Sequence, residues 1–129
     1  QASLESWADA AAPGKALTLR FTDKAESQAL NKQFRQQDKP TNVLSFPAEA
    51  IPGIEIDYLG DILICVSIVE SEAAEQGKNL EAHFAHMTIH GILHLLGFDH
   101  VNASDADTME ALEIKLLAQF AYPNPYKAQ

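Results

Sequence analysis

Residues 80–100 (LEAHFAHMTIHGILHLLGFDH) restrict the fold more than any other part of this chain of 129 residues. This stretch predicts a helix over residues 80–96 with apolar side chains on nearly every side, which is typical of a helix inside a protein core. Gly97 predicts the end of that helix, because glycine adopts the left-handed cap conformation at little cost. The other elements are therefore expected to pack around this helix.

The rest of the sequence predicts a small mixed β-sheet packed with helices, an α/β (α+β) fold. The most continuous apolar run, residues 58–66, is expected to form the central strand. Asp23 with Glu26 predicts a capping box, and Ser104 predicts the N-cap of the last helix. The pattern leaves the direction of each strand open. Strands are predicted at residues 16–21, 42–46 and 58–66, and further helices at residues 3–11, 23–36, 67–76 and 105–120.

Neither an internal repeat nor a linker interrupts the chain, so we expect a single domain over residues 1–129. The sequence has no apolar run of about 18 residues, so no membrane partner is expected. The single cysteine, Cys65, stands in an apolar run and is expected to be buried in the core. One thiol cannot form an internal disulfide, which is compatible with a reducing compartment.

The charge is strongly acidic overall and unevenly distributed. The formal net charge is −9, which argues against indiscriminate binding to nucleic acids. Residues 1–40 hold six basic and five acidic side chains, a balance of +1, whereas residues 41–129 hold three basic and thirteen acidic, a balance of −10. The early basic groups form either an ordinary solvated helix face or a local surface that binds phosphate. They are Lys15, Arg20, Lys24, Lys32, Arg35 and Lys39.

All five histidines lie within residues 83–100, and their spacing predicts a metal site. His90 and His94 are four residues apart, so their rings lie on adjacent turns of one helix face and can reach the same ion. A straight helix cannot supply a third ligand, but the reversal at Gly97 can return His100 to that ion. Three protein ligands leave a fourth position open, which is typical of catalytic zinc sites. We therefore predict one Zn²⁺ ion on His90, His94 and His100, although imidazoles also suit nickel, copper and iron.

The other polar groups near this pattern have more than one interpretation. His83 and His86 fall on the same helix face, within about 80° of arc of the other two helical histidines. They are expected to pack in the core or to orient a ligand ring; direct metal contact is the less favoured alternative, and His86 as a fourth ligand would favour a structural zinc site. Asp99 either accepts a hydrogen bond from a ligand ring or caps the loop. A buried helix that is merely rich in histidine remains the alternative for the whole segment.

The spacing also overlaps the metzincin peptidase motif, H-E-x-x-H-x-x-G-x-x-H. The three histidines and the glycine align with that motif, but Gly91 stands where the peptidases carry the glutamate that acts as the general base. A peptidase-like hydrolase is therefore a disfavoured alternative.

Several segments together resemble the YbeY-type bacterial endoribonucleases, which are also called rRNA maturation factors. The segments are HGILHLLGFDH (residues 90–100), DKPTNVLSFP (38–47), LGDILIC (59–65) and DADTMEALE (105–113). The resemblance covers roughly residues 16–125. The chain departs from the family pattern in two ways. Phe98 replaces the usual tyrosine of the motif, and the extra N-terminal strand that usually opens these proteins is expected to be absent.

The resemblance implies a cytoplasmic, metal-dependent endoribonuclease specific for single-stranded RNA. It further implies a role in 16S rRNA 3′-end maturation and ribosome quality control, with the small ribosomal subunit and its assembly factors as partners. Carried over by position, the zinc ligands are His90, His94 and His100, and the functional arginine is Arg35. Its guanidinium offers a planar fork for a phosphate, although a surface arginine on a helix is the alternative. A third possibility is a non-catalytic ribosome-assembly factor that zinc only stabilises.

Overall fold

The computed structural model describes residues 4–48, 53, 58–98 and 103–126. In chain order the elements are α1 (Leu4–Ala11), β1 (Ala16–Thr22), α2 (Lys24–Arg35), β2 (Val43–Pro47), β3 (Tyr58–Cys65), α3 (Val66–Gln76), α4 (Leu80–Leu95) and α5 (Ala103–Ala118). Within this described part, no helix combines the length and the apolar character needed to span a lipid bilayer.

The three strands form one mixed sheet in the order β1-β3-β2. Strand β3 is central, as its apolar run predicts, and it pairs in parallel with β1 and antiparallel with β2. Ile62 and Ile64 of β3 are completely buried, and so is the thiol-bearing residue at its end, Cys65. The prediction of a small mixed sheet packed with helices is therefore confirmed.

Helix α4 lies in the core and contributes to two apolar clusters. Met87 and Ile92 pack with the sheet residues of the first cluster, and Ile89 and Leu93 pack with α1 and α5 in the second. Helix α4 contacts α1, α3, α5, β2 and β3. A helix with apolar residues nearly all round is buried from several directions, and this burial confirms the prediction of a central core helix.

The starts of α2 and α5 differ from the predictions. Asp23 caps α2 by accepting a hydrogen bond from the Glu26 N–H at 2.8 Å, but the Glu26 carboxylate pairs with Arg20 at 2.8 Å. The predicted capping box is therefore only half formed. Helix α5 already includes Ala103, and the Ser104 carbonyl accepts a hydrogen bond from the Thr108 hydroxyl within its first turn. The prediction of Ser104 as the N-cap is wrong.

The end of α4 reverses at Gly97, as predicted. Gly97 has a φ of 99°, in the left-handed region. Its N–H donates to the His94 carbonyl at 3.0 Å, and the Phe98 N–H donates to the Leu93 carbonyl at 3.0 Å. This pair of bonds is a Schellman motif, and Phe98 packs against the cluster that contains Leu93, the hydrophobic contact that often accompanies it. The chain therefore leaves α4 in a defined direction.

Candidate metal centre

Two of the predicted ligands face a cavity of about 480 Å³ between α4, β2 and the end of α2. His90 and His94 form the α4 side of this cavity, and Arg35, the last residue of α2, lies on its wall. The other lining residues come from β2 and the segment before it: Thr41, Asn42, Val43, Ser45 and Pro47. The structure thus brings together Arg35, His90 and His94, which are far apart in the sequence.

The two histidine rings are spaced as ligands of one ion. The Nε2 atoms of His90 and His94 are 3.2 Å apart, and their ring planes are nearly perpendicular. Two nitrogens bound to a tetrahedral zinc ion at about 2.0–2.1 Å are separated by about 3.3–3.4 Å. The pair therefore fits a shared metal ion without rearrangement of α4. His100 and Asp99 lie outside the described residues, so the third predicted ligand has no described position.

Arg35 reaches the cavity wall because α2 is tied to the segment that precedes β2. The Ser27 hydroxyl donates to the Thr41 carbonyl at 2.8 Å and accepts from the Thr41 N–H at 2.9 Å. One turn later, the Asn31 amide donates to the Lys39 carbonyl at 2.9 Å. Ser27 and Asn31 are both buried polar residues with few alternative partners. Their hydrogen bonds set the end of α2 against the cavity.

Glu113 of α5 is a site residue that the sequence analysis did not single out. Its side chain is 1% exposed and lies behind α4. One oxygen, Oε2, is 2.6 Å from His86 Nε2 and 3.3 Å from His90 Nδ1, and the other, Oε1, accepts from the Tyr126 hydroxyl at 2.9 Å. The sequence carries a signal for it, because Glu113 shares the apolar face of α5 with Met109 and Leu117. A carboxylate on a buried helix face needs partners.

The pKa values in this network favour an ionised Glu113 carboxylate. Burial by itself would raise the pKa of Glu113, but the hydrogen bonds and charges of His86 and His90 outweigh it and lower the pKa to about 2. Burial lowers the pKa of His86 despite its bond to Glu113. Burial, reinforced by the Glu113 charge, raises the pKa of Tyr126, so its phenol keeps its proton and donates it to the carboxylate.

His86, His90 and Glu113 offer a second way to hold a metal ion. One ligand atom from each of them lies within 4.8 Å of the other two. This buried His-His-Glu group shares His90 with the pair described above. An ion held by the group would lie at Nδ1 of His90, whereas an ion shared with His94 would lie at Nε2. One ion cannot lie on both sides of the same ring. His83 belongs to neither group, since it is buried and bonded through Nε2 to Glu72 at 3.0 Å.

Gly91 has a steric reason to be glycine. A Cβ atom added there would lie 3.1 Å from a methyl group of Ile62 and 3.2 Å from both the Ser45 hydroxyl and a Val43 methyl group. The Ser45 hydroxyl also donates to the Gly91 carbonyl at 2.9 Å. Helix α4 therefore approaches the sheet at the position where the peptidase motif places its glutamate. A peptidase-like activity would have to proceed without that general base.

The similarities to known proteins extend over nearly the whole chain. A family model described as Endoribonuclease YbeY matches residues 2–121. The protein named Endoribonuclease YbeY from Alteromonas mediterranea is 53% identical over 132 aligned residues, which cover 98% of this chain and 84% of that relative. The solution structure of TM1509 from Thermotoga maritima aligns with a TM-score of 0.55 and 27% identity, over 96% of this chain and 86% of that one. The matched residues include α2, α4 and α5, but the family match ends before Tyr126.

Proposed function

This chain belongs to the Endoribonuclease YbeY family, and from that premise we propose that it is a metal-dependent endoribonuclease that cleaves single-stranded RNA. The observation that carries the proposal is the convergence of His90, His94 and Arg35 on one cavity. Two imidazoles at ligand spacing can hold a metal ion that activates water, and a guanidinium that lines the same cavity can bind a phosphate.

We propose that the metal is zinc and that its ligands are His90, His94 and His100. The spacing of 3.2 Å between the two Nε2 atoms supports this set, because it lies close to the edge of a tetrahedral zinc site. The spacing of 2.6 Å between His86 Nε2 and Glu113 is that of a short charge-assisted hydrogen bond. In addition, His90 and His94 line the cavity of about 480 Å³, whereas His86 and Glu113 are buried.

The chain's own residues account for binding and orientation of the substrate. When bound, the metal ion would supply Lewis-acid chemistry at a phosphoryl oxygen and activate water. Arg35 would hold the scissile phosphate through its fork of donors, and Thr41 and Ser45 line the same cavity. A cleft walled by core elements admits a single strand more readily than an A-form duplex.

The biological role follows from the family rather than from the geometry. We propose that the substrate is rRNA, that the protein acts in 16S rRNA 3′-end maturation and ribosome quality control, and that its partners are the small ribosomal subunit and assembly factors in the cytoplasm. The net charge of −9 is compatible with selective rather than indiscriminate contact with RNA.

The test compares His94→Ala with His86→Ala for zinc content and for cleavage of a labelled single-stranded RNA. Under the proposal, His94→Ala loses both bound zinc and cleavage, because it removes a ligand, whereas His86→Ala keeps one zinc ion per chain. Zinc that survives His94→Ala but not His86→Ala would place the metal in the His-His-Glu group instead. Cleavage that persists in metal-free His94→Ala protein would reveal a contaminating nuclease.

A further inference from the structure

We propose that Glu113 is a positioning residue that fixes the tautomer of His90 so that Nε2 faces the metal, an inference that rests on the zinc site proposed above. Two described residues contact the His90 ring through different nitrogen atoms. Nδ1 lies 3.3 Å from Glu113 Oε2, and Nε2 lies 3.2 Å from His94 Nε2. The nitrogen that carries the ring proton cannot bind a metal ion, so the position of this proton decides which side of His90 is the ligand.

A neutral imidazole has one N–H group and one lone pair. An ionised carboxylate only accepts hydrogen bonds, so the bond to Glu113 holds the proton of His90 on Nδ1. The lone pair is then on Nε2, on the cavity side, where His94 Nε2 also points. A carboxylate behind a ligand imidazole also makes the ring more basic and restricts its rotation. Glu113 thus prepares His90 for an ion on the cavity side.

The carboxylate is itself held from several sides. His86 donates to Oε2 from the preceding turn of α4, and Tyr126 donates to Oε1 from the segment after α5. His86 Nδ1 is buried and has no hydrogen-bond partner in the described part of the chain. The proton of His86 is therefore best placed on Nε2, since a buried unpaired acceptor occurs more readily than a buried unpaired donor. Glu113 accordingly has little freedom to leave His90.

The rival assignment makes Glu113 a direct metal ligand. The two assignments differ in the size of the effect that Glu113→Gln has on zinc affinity. Loss of a positioning carboxylate weakens metal binding by about 10–100-fold, whereas loss of one of three direct ligands removes a metal–ligand bond and should cost as much as His94→Ala does. Glutamine keeps the shape of the side chain and removes its charge, which makes it the appropriate substitution.

The experiment measures zinc affinity by chelator competition on the full chain, together with the tautomer of His90 by ¹⁵N NMR of the imidazole rings before zinc is added. We expect Glu113→Gln to weaken zinc binding by about 10–100-fold and to reduce the Nδ1–H form of His90. Glu72→Gln is the matched control, because it alters the same kind of bond to His83 on the same helix. It should leave both readouts of His90 unchanged.

Tyr126→Phe provides a milder variant that removes one donor to Glu113 from a residue whose ring is partly exposed. We expect it to weaken zinc binding by about two- to tenfold, the effect of one lost hydrogen bond. It keeps the proposal testable if Glu113→Gln does not fold.

Three results would overturn the proposal. If Glu113→Gln and Tyr126→Phe both leave the His90 tautomer and the zinc affinity unchanged, Glu113 is a packing residue only. A loss in Glu113→Gln as large as that in His94→Ala would make it a direct ligand. Equal losses in Glu113→Gln and Glu72→Gln would indicate general destabilisation. Failure of the proposed function is recognised separately, because the wild type would then not cleave RNA, or zinc or cleavage would survive His94→Ala.

Discussion

Gly91 illustrates how one residue limits the chemistry that a helix can carry. It lies one position after His90, where its missing side chain lets α4 approach Ile62, Val43 and Ser45 of the sheet. The same close approach brings His90 and His94 over the cavity wall that β2 forms. Close packing against the sheet, rather than a role in proton transfer, therefore accounts for the glycine at this position.

We predict that Gly91→Ala destabilises the protein, although the same change in an exposed helix usually stabilises it by about 0.5–1 kcal/mol. The added methyl group would press on two strands, and such overpacking lowers the free energy of unfolding by about 1–3 kcal/mol. Urea denaturation of the wild type and the variant measures the difference. An increase in stability would show that the sheet retreats easily from α4.

Arg35 is the residue whose role depends most on the proposed reaction. We predict that Arg35→Ala lowers kcat/KM for single-stranded RNA by about 10²-fold or more, as loss of a donor to a developing charge does, while zinc content stays the same. Arg35→Lys should recover only part of the rate, because an ammonium group lacks the planar fork.

Lys32 is the matched control for Arg35, since it is also a cation on α2 but its ammonium lies 3.8 Å from Asp38. Lys32→Ala should change kcat/KM by less than about fivefold, the effect of an exposed pair worth under 1 kcal/mol. Equal losses for Lys32→Ala and Arg35→Ala would mean that α2 attracts RNA only through its general charge.

At the scale of elements, the sequence predicts what local periodicity determines and misses what tertiary packing determines. The elements from α1 to α5 follow from apolar patterns, and β3 is central because its run is the most apolar. The pairing directions depend on how the connections cross the sheet, which no local pattern records. The start of α5 is wrong by two residues, because helix ends are decided by individual hydrogen bonds.

The same division holds for the site. His90 and His94 could be predicted because their relation is set within one helix. Glu113 and Tyr126 could not, since they meet α4 only when α5 and the segment after it pack behind the histidines. The prediction of Arg35 rests on the family resemblance, and the hydrogen bonds between Ser27 and Thr41 give the physical reason why Arg35 lies at the cavity.

We predict that Ser27→Ala weakens the attachment of α2 to the segment before β2. It removes both hydrogen bonds to Thr41 and leaves two partly buried backbone groups without these partners, so the free energy of unfolding should fall by about 1–3 kcal/mol. RNA cleavage should fall as well, because Arg35 loses its fixed position.

Ser71→Ala is the control for this prediction, since the exposed Ser71 hydroxyl donates to the Ser67 carbonyl of its own helix. This change should alter the free energy of unfolding by less than about 0.5 kcal/mol. Unchanged cleavage in a destabilised Ser27→Ala protein would separate Arg35 from this anchor.

At the scale of the whole molecule, we expect metal binding and folding to be coupled, because His90 and His94 take up their ligand spacing only in the folded helix. We predict that free zinc at about 100 times its dissociation constant raises the free energy of unfolding by about 2.7 kcal/mol. Chemical denaturation with and without zinc measures the gain, which should vanish in His94→Ala. Mg²⁺ should give no gain, because it prefers oxygen ligands. A zinc-dependent gain retained in His94→Ala would mean that the stabilising ion binds elsewhere.

The contact between Tyr126 and Glu113 has a practical consequence for handling the protein. The phenol belongs to the segment after α5, yet it steadies from behind the carboxylate that holds His90. A variant that lacks Tyr126 should therefore retain less metal than the full chain, and a weakly active preparation calls for a check of this segment before the histidines.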